Sequence, residues 1–495
     1  MIDRNKIPAS WEVVKLGKVC ETTSGGTPSR KVTKYYGGKI PWVKSGELEH
    51  NIILDTEERI TEEAIQNSSA KIFPKGTLLI ALYGATVGKL AFLGIDAATN
   101  QAVCGIFKNE IINSKFLYQY LFFQRPNLIG QSFGGAQPNI SQTILKELEI
   151  PLPPLSEQHR IISKIEELFS ELDKGIESLK TAQRQLKVYR QAVLKWAFEG
   201  RLTEEWRKEN AHLNTAYDYL RQVSEIRKKN FLEAKKNGIK RIEKNYDFEF
   251  RQSGEINTWA NATLNKLIYI AGRIGWRGLT KDEYTTEGPL FLSVYSLNYG
   301  KYVEFKDAYH ISEERYLESP EIMLKDKDIL LCKDGAGIGK IGIINKLPSE
   351  ATVNSSLLVI RGMEIFIPEF LYRLLSGPKL QSIVRKRITG SATPHLFQND
   401  IRKFELLIPP PEEQVQIVSE IDTRLSVCDK LEETITTALQ QSEALRQSIL
   451  KKAFEGKLVE QNPKDESTAK LLERIKAEKA AEQRNVYRRN KPLTK

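Results

Sequence analysis

The chain has 495 residues, 40% of them hydrophobic, and a formal net charge of +11, which predicts at least two domains and favours an anionic partner such as nucleic acid. Its four cysteines are scattered without a C-x-x-C pair, which argues against a disulfide framework and a cysteine zinc site. The polar beginning lacks a signal peptide and no run of 18 apolar residues occurs, so we expect a cytoplasmic protein without a membrane span.

The first block, residues 1–150, is predicted to be a mixed α/β domain, because short apolar runs alternate with clusters of turn residues. The expected elements are a strand or turn at Trp11–Leu16, a loop at Gly25–Arg30, a strand at Ile40–Lys44, strands at Thr77–Tyr83 and Gly88–Leu93 joined by a hairpin turn, and a short helix at Ser114–Phe123. The prolines at 151, 153 and 154 end the block.

Residues 151–202 are predicted to form one long helix with an apolar seam. From Ile161 to Ala197, hydrophobic residues recur at steps of three and four, the heptad-like spacing of helices that pack on each other. Gly200 is typical of a helix end, with Lys195 in the last turn. A helix over 157–199 would be about 65 Å long at about 1.5 Å per residue, and its seam must be buried.

Residues 203–255 are charged and prone to form helices, with a basic run at Arg227–Lys229. The C-terminal segment, 459–495, is similar, with Leu471 and Ile475 followed by two arginines. Both segments are open to three interpretations: arms on the DNA backbone, helices that dock a partner, or a solvated linker and a frayed tail.

An internal repeat sets the architecture. The second block, 256–408, follows the order of the first loosely, whereas 409–458 matches 153–202 without a gap, at an offset of 256 residues as from Glu157 to Glu413. Gln158 and Gln414 are identical across this offset, and so are the Ala-Phe-Glu-Gly runs. We therefore predict an α+β fold with a pseudo-two-fold repeat, in which a long antiparallel two-helix coiled coil joins two mixed α/β domains.

Catalytic signatures are missing from the sequence. The five histidines are isolated, and none belongs to an H-E-x-x-H motif. The Asn/Asp-Pro-Pro-aromatic tetrapeptide of methyltransferases that act on amino groups is also absent. Gly335–Lys340 fails the phosphate-loop pattern because Asp334 stands at the first glycine position and Ile341 replaces the Ser or Thr. Gly337–Gly342 matches G-x-G-x-x-G, but this short pattern is a weak signal and lies in a hairpin-like context. We therefore predict no catalytic residue and no metal site.

Polar residues on loops and at strand ends are the candidate functional residues. Arg and Lys hold phosphates or guanine edges, and Asn and Gln hold adenine edges. Each candidate taken alone is also compatible with an ordinary surface residue or a turn. The candidate DNA contacts are Thr27, Ser29, Arg30, Lys44, Ser45, Lys89, Gln101, Gln137 and Asn139 in the first block, and Arg273, Trp276, Arg277, Lys333, Lys340, Asn354, Ser355 and His395 in the second.

Two groups of motifs carry a family resemblance. The Pro-Leu-Pro-Pro-Leu-Ser-Glu-Gln start at 151–158, the Ala-Phe-Glu-Gly-Arg-Leu end at 197–202 and their repeats resemble the conserved regions of type I restriction–modification specificity subunits. The 25–30 loop and the Gly-x-x-x-Gly-Lys hairpin resemble the target-recognition domains of that family. The second block departs from the family at Gly272–Arg277.

The resemblance implies a non-catalytic subunit that reads a bipartite, asymmetric site in double-stranded DNA, with one half for each target-recognition domain. It also implies that two adenine-methyltransferase (modification) subunits dock on the helices and that two motor-nuclease (restriction) subunits join them. S-adenosylmethionine, ATP and Mg²⁺ would belong to these partners, with no cofactor in this chain.

Phe198, Glu199, Phe454 and Glu455 are candidate docking residues at the helix ends, with packing inside this chain as the alternative for both phenylalanines. Two other functions compete: a stand-alone DNA-binding coiled-coil scaffold, and a nuclease or methyltransferase in its own right.

Overall fold

A computed structural model describes residues 4–131, 139–239, 243–273, 279–389 and 395–489. The chain divides into two compact units, the first made of residues 1–180 and 436–495 and the second of residues 181–435. Both boundaries fall inside long helices, so each unit consists of one block together with parts of both helices.

The first block is built from short strands and helices. Its strands are β1 (Glu12–Lys15), β2 (Thr22–Ser24), β3 (Tyr36–Val43), β4 (Asn51–Ile53), β5 (Glu58–Ile60), β6 (Ile72–Phe73), β7 (Leu78–Ala81), β8 (Leu90–Leu93), β9 (Ala97–Thr99), β10 (Val103–Ile106) and β11 (Glu149–Leu152). Its helices are α1 (Leu16–Val19), α2 (Glu62–Gln66), α3 (Ser114–Gly130) and α4 (Gln142–Glu147), and α5 (Leu155–Phe198) follows.

The central sheet of the first block has the order β2-β10-β7-β8-β4, and a second sheet has the order β5-β3-β9-β6. Strand β7 is buried on both faces: Leu78 and Ile80 belong to the core formed with α3, whereas Leu79 and Ala81 belong to the core on the other side. The predicted β7–β8 hairpin is confirmed, and Gly84 in its turn has a φ of 73°, a conformation that favours glycine.

The second unit contains the strands β12 (Phe250–Gln252), β13 (Ala260–Thr263), β14 (Tyr269–Gly272), β15 (Tyr284–Leu292), β16 (Tyr309–Ile311), β17 (Ile329–Cys332), β18 (Ile341–Ile343), β19 (Ala351–Val353), β20 (Leu357–Arg361) and β21 (Glu405–Ile408). The remaining α-helices among the described residues are α6 (Glu204–Glu209), α7 (Ala216–Lys236), α8 (Glu313–Leu317), α9 (Pro368–Ser376), α10 (Pro378–Thr389), α11 (Gln398–Arg402), α12 (Pro411–Phe454) and α13 (Thr468–Arg489). The order β14-β20-β17-β18 reproduces β2-β10-β7-β8, and β16-β15-β19 reproduces β5-β3-β9, so the repeat of the blocks extends to topology.

The two long helices, α5 and α12, each contain 44 residues, as the apolar period predicts. In the first unit Ile161 and Ile165, early in α5, share a core with Ile449 and Ala453, late in α12. The second unit reverses these roles, since its core contains the late α5 residues Val193 and Ala197 and the early α12 residues Ile417 and Ile421. Within each unit the start of one helix therefore lies beside the end of the other.

The identical glutamines of the repeat clamp each helix to its block. The buried Gln414 accepts a hydrogen bond from Ile367 N at 3.0 Å and donates to Ile365 O at 3.0 Å and to Pro409 O at 3.1 Å. Gln158 makes the equivalent bonds to Asn113 N, Ile111 O and Pro153 O. A buried amide with three backbone partners cannot be exchanged without leaving polar groups unsatisfied, which accounts for the identity of the two copies.

The segment 203–255 packs on the second block, so its interpretation as a solvated linker is wrong for α7. Arg227, in the basic run, is 6% exposed, and it donates to the backbone oxygens of Asn245 at 2.9 Å and Lys266 at 2.7 Å. Its guanidinium also pairs with Glu364. The charge of Arg227 is therefore structural and is not available to a DNA backbone.

The C-terminal segment holds the first block in the same way. Leu471 and Ile475 of α13 are buried in the core of the first unit, so the start of this helix is not a frayed tail. Thr468 N donates to Ser10 O at 3.1 Å, and Ala216 N at the start of α7 donates to Thr258 O at 2.8 Å. These acceptors directly precede the equivalent residues Trp11 and Trp259. The internal repeat therefore extends to α7 and α13, which lie beyond the repeated segments 153–202 and 409–458.

Candidate nucleic-acid interface

In the first block the predicted loops meet at one end of the central sheet. Asn100 N donates to Val43 O at 2.9 Å, which joins the loop after β9 to the loop after β3. The Thr27 hydroxyl is hydrogen-bonded to the side-chain oxygen of Gln101, so these two candidates lie together. Asn139 forms a backbone bridge with Tyr83, beside the β7–β8 turn.

Arg30 and Lys44 share a carboxylate. Arg30 binds both oxygens of Glu58, at 2.6 and 3.1 Å, and Lys44 Nζ lies 2.7 Å from Glu57 and 3.2 Å from Glu58. Hydrogen bonds raise the pKa of Arg30, through Glu58, and of Lys44, through Glu57 first, while Arg30 lowers the pKa of Glu58. Arg30, Lys44 and Glu58 therefore stay charged at neutral pH, and they form an ionic network.

Aromatic rings hold the guanidinium of Arg30 in place. Its Cζ lies 4.3 Å from the ring centre of Tyr36 and 5.3 Å from that of Trp42. The side chain nevertheless remains 55% exposed. A guanidinium that is stacked, oriented and open to solvent can present N–H donors to a planar acceptor such as a guanine edge.

The other candidates of the first block are more dispersed. Lys89, at the end of the β7–β8 turn, lies 3.4 Å from Glu49. Ser29 is exposed and Ser45 is half-buried. Gln137 lies outside the described residues. The carboxylates Glu49 and Glu58 and the ring of Tyr36 were missed from the sequence, because only their spatial proximity to the cations marks them.

The prediction for Arg273 in the second block is wrong. This side chain is 3% exposed, donates to Val353 O at 3.1 Å and lies 5.5 Å from the ring centre of Phe291. A cation that satisfies a backbone carbonyl in the interior is held by its environment and cannot reach DNA. Trp276 and Arg277 lie outside the described residues.

Asp334 connects two of the remaining candidates in the second block, His395 and Lys333. His395 Nδ1 is hydrogen-bonded to the Asp334 carboxylate, and the two residues also form a backbone bridge. Lys333 Nζ lies 3.0 Å from Asp334, and the His395 ring packs on Phe397 with centroids 4.4 Å apart. The structure thus brings His395 and Lys333 together around a carboxylate that the sequence did not indicate.

Lys340, Asn354 and Ser355 lie on neighbouring turns. Lys340 Nζ donates to Asn298 Oδ1 at 2.6 Å and is exposed. Asn354 Oδ1 accepts from Ser356 N at 3.1 Å, so this amide shapes its own turn, while Ser355 is exposed. Tyr295, 60% exposed just after β15, was also missed, since an isolated tyrosine gives no sequence signal.

Equivalent positions of the two blocks carry different side chains on one frame. Lys89 and Lys340 both follow the last glycine of the turn. By contrast, the backbone bridge is formed by Tyr83 with Asn139 in the first block and by Asp334 with His395 in the second. With this shared backbone, the two blocks can bind phosphates in the same way and present different side chains to the bases.

The Ala-Phe-Glu-Gly ends pack within the chain to different extents. Phe454 is 5% exposed, with ring centroids 5.4 Å from Phe116, 4.9 Å from Tyr120 and 5.5 Å from Phe123, so the expectation of an exposed anchor is wrong for it. Phe198 is half-buried, and its ring centroid lies 5.6 Å from that of Phe370. Glu199 lies near Lys195 and Arg201, and Glu455 near Lys457.

Across the described ranges, no group of three or more His, Cys, Asp or Glu side chains is placed to hold a metal ion. In the same part of the chain, every helix is too short or too polar to cross a membrane.

Comparisons with known proteins agree on one family. A family model described as the type I restriction modification DNA specificity domain matches residues 8–181 and 221–441. The EcoKI specificity subunit of Escherichia coli K12 is 25% identical over 505 residues, covering 96% of this chain and 97% of that protein. The MjaIX specificity subunit of Methanocaldococcus jannaschii is 28% identical over 418 residues, covering 82% and 85%.

Solved structures show the same fold. The HsdS subunit of Thermoanaerobacter tengcongensis superposes with a TM-score of 0.57 at 18% identity, covering 91% of this chain and 98% of that one. A chain from a structural study of complex assembly in the type I R-M system gives a TM-score of 0.62 at 18% identity, covering 91% and 99%.

Proposed function

Because this chain belongs to the type I restriction modification DNA specificity family, we propose that it is a specificity subunit that reads a bipartite, asymmetric site in double-stranded DNA. Each block would read one half. The observation that carries this proposal is the shared strand order of two blocks whose bridge residues differ, Tyr83 with Asn139 against Asp334 with His395. One frame with two sets of side chains suits two unequal half-sites.

Within the first block we assign direct base contact to Arg30 and backbone contact to Lys89. Arg30 is oriented by Glu58 and Tyr36, and an oriented guanidinium can make two hydrogen bonds to guanine. Lys89 has an equivalent in Lys340, and a contact kept in both blocks suits the phosphate backbone, which is the same in every sequence. Carboxylates such as Glu58 repel phosphates, so they favour one docking pose over others.

We further propose that α5 and α12 form the antiparallel coiled coil that spaces the blocks and docks two modification subunits. Two half-sites read from one DNA face would have centres about 34–36 Å apart, one helical turn. Two restriction subunits would complete the enzyme. Adenine methylation with S-adenosylmethionine, and cleavage with ATP and Mg²⁺, would belong to those subunits, and this chain would contribute binding alone in the cytoplasm.

Mapping of methylated adenines in the host genome tests this function. Deletion of the gene should remove methylation from one bipartite motif, and the gene supplied in trans should restore it. Methylation that is unchanged by deletion would contradict the proposal. The purified chain alone should neither cleave nor methylate DNA, and activity of the isolated chain would instead support an enzyme in its own right.

A further inference from the structure

The second unit has an open apolar cavity at the C-terminal end of α5. Its volume is about 490 Å³, and Lys195, Glu199 and Lys379 lie at its rim. The walls are mainly apolar, formed by Phe198, Leu374, Gly377, Phe404, Leu406 and Leu407. An exposed apolar concavity of this kind is the usual seat of a partner's anchoring side chain.

The internal repeat shows what fills the equivalent place in the first unit. There the ring of Phe454, the counterpart of Phe198, contacts Phe116, Tyr120 and Phe123. In the second unit Phe370 takes the place of Phe116, since it contacts Phe198 with ring centroids 5.6 Å apart. Alignment of α3 with α9 from this pair puts Leu374 at the position of Tyr120 and Gly377 at the position of Phe123.

Gly377 faces Phe198, as Phe123 faces Phe454. A Cβ atom added at Gly377 would lie 3.5 Å from Cε2 of Phe198. The φ of Gly377 is −72°, which any residue can adopt, although the added Cβ would also lie 3.0 Å from Leu374 O, so the backbone would have to shift by a few tenths of an ångström. The missing side chain therefore opens the cavity, in the place where the first unit carries an aromatic ring of its own.

We propose that this cavity receives an aromatic side chain from the modification subunit that docks at this end of α5. The inference rests on the proposed function and adds the chemistry of one contact. A ring from a partner would restore the edge contact that Phe123 supplies to Phe454 and would bury apolar surface left open in the free chain. Because the first unit fills the place itself, only one of the two modification subunits inserts a ring.

The rim charges favour a particular neighbour for that ring. The rim carries two positive charges, from Lys195 and Lys379, and one negative charge, from Glu199. Lys379 Nζ also donates to Glu405 O at 2.5 Å. A net positive rim attracts a carboxylate placed beside the inserted ring. The occupant is therefore an aromatic residue with an acidic neighbour on the surface of the modification subunit.

Titration of the full-length chain with the purified modification subunit of the same system tests this contact by calorimetry. Gly377→Phe should fill the cavity and weaken one of the two binding steps by at least about tenfold, or about 1.4 kcal/mol, with the other step unchanged. Gly377→Ala is the matched control, because it adds the same Cβ without the ring and should leave both steps near the parent values. Leu407→Lys, which alters the wall without changing residue 377, should weaken the same single step.

The outcomes separate the two levels of the proposal. If the parent chain binds two modification subunits and both Gly377→Phe and Leu407→Lys bind them equally well, the cavity contact is overturned while the proposed function stands. An equal loss in Gly377→Ala and Gly377→Phe would assign the effect to the backbone and overturn the contact too. A parent chain that binds no modification subunit would overturn the proposed function and this inference together.

Discussion

Arg190 Nη2 donates to Asp429 Oδ1 at 2.6 Å in the second unit, and the equivalent residues with their helices exchanged, Arg446 and Asp173, pair in the first. The repeat thus makes one ion pair twice. Asp429 and Asp173 are mostly exposed, so each pair contributes about 0–1 kcal/mol. The two pairs instead fix how α5 and α12 are aligned along each other. Both can form only when the two helices have the same number of residues between the aspartate and the arginine.

Insertion of one heptad into both helices tests the helices as a spacer. Placed between Asp173 and Arg190 and between Asp429 and Arg446, the insertions keep both pairs and lengthen each helix by about 10 Å, at about 1.5 Å per residue. This equals about three base pairs at about 3.4 Å each, so the spacer of the methylated motif should lengthen by about that amount. The blocks must also follow the rotation of the groove, so only some insertions should be active.

The control for this experiment inserts the heptad into α5 alone. It prevents the two pairs from forming together and should destabilise the chain. An active double insertion whose methylated motif keeps the parent spacer would end the spacer idea.

Glu413 and Glu157 are equivalent residues whose replacement should have unequal effects. The fully buried Glu413 pairs with Arg207 and accepts from Trp259 Nε1 at 2.7 Å, so Glu413→Gln leaves a cation without its carboxylate. We expect a loss of about 3 kcal/mol in the free energy of unfolding. Burial raises the pKa of Glu157, and Glu157→Gln should cost less than about 1 kcal/mol. Urea denaturation of the full chains measures both, and equal losses would contradict this assignment.

His50 should make the first unit sensitive to acid. Burial lowers the pKa of His50, Arg125 and Lys89 lower it further, and the rings of Phe122 and Tyr118 pack against it. A lowered folded-state pKa means that stability is present above the unfolded pKa and is lost as the pH falls through the folded one. The melting temperature should therefore fall as the pH drops below the usual histidine pKa of about 6.5, and less so in His50→Gln. Parallel pH profiles for parent and variant would refute this role.

Arg30 and Lys89 should affect DNA binding differently. Arg30→Ala should cost about 1–3 kcal/mol on the cognate site and relax one position, and Arg30→Lys should not restore it, because lysine lacks the planar fork that stacks on Tyr36. Lys89→Ala should weaken binding to all sequences and reduce the salt slope by about one. Fluorescence anisotropy at several salt concentrations measures both effects. Unchanged affinity and slope would reduce these residues to surface positions.

The sequence predicted the long helices and the β7–β8 hairpin because local period and glycine placement determine them. It did not predict the burial of Arg273, and it left docking and internal packing open for Phe454. The charge of Arg273 favoured the surface, whereas its carbonyl partner, Val353, lies far along the chain. Similarly, α3 continues past Phe123 to Gly130 despite Pro126, where Leu128 is buried and Arg125 Nε donates to Val87 O at 3.3 Å. Tertiary contacts of this kind leave no local pattern.

Exchange of one block for that of a homologue tests independent recognition most directly. The exchange should cover residues 22–112, because Trp11 and Phe116 pack against the C-terminal end of α12 and must stay. We predict that the methylated motif in the host genome changes in one half only, with the other half and the spacer unchanged. Changes in both halves, or in neither half of an active enzyme, would contradict the account of two separate recognition domains on one frame.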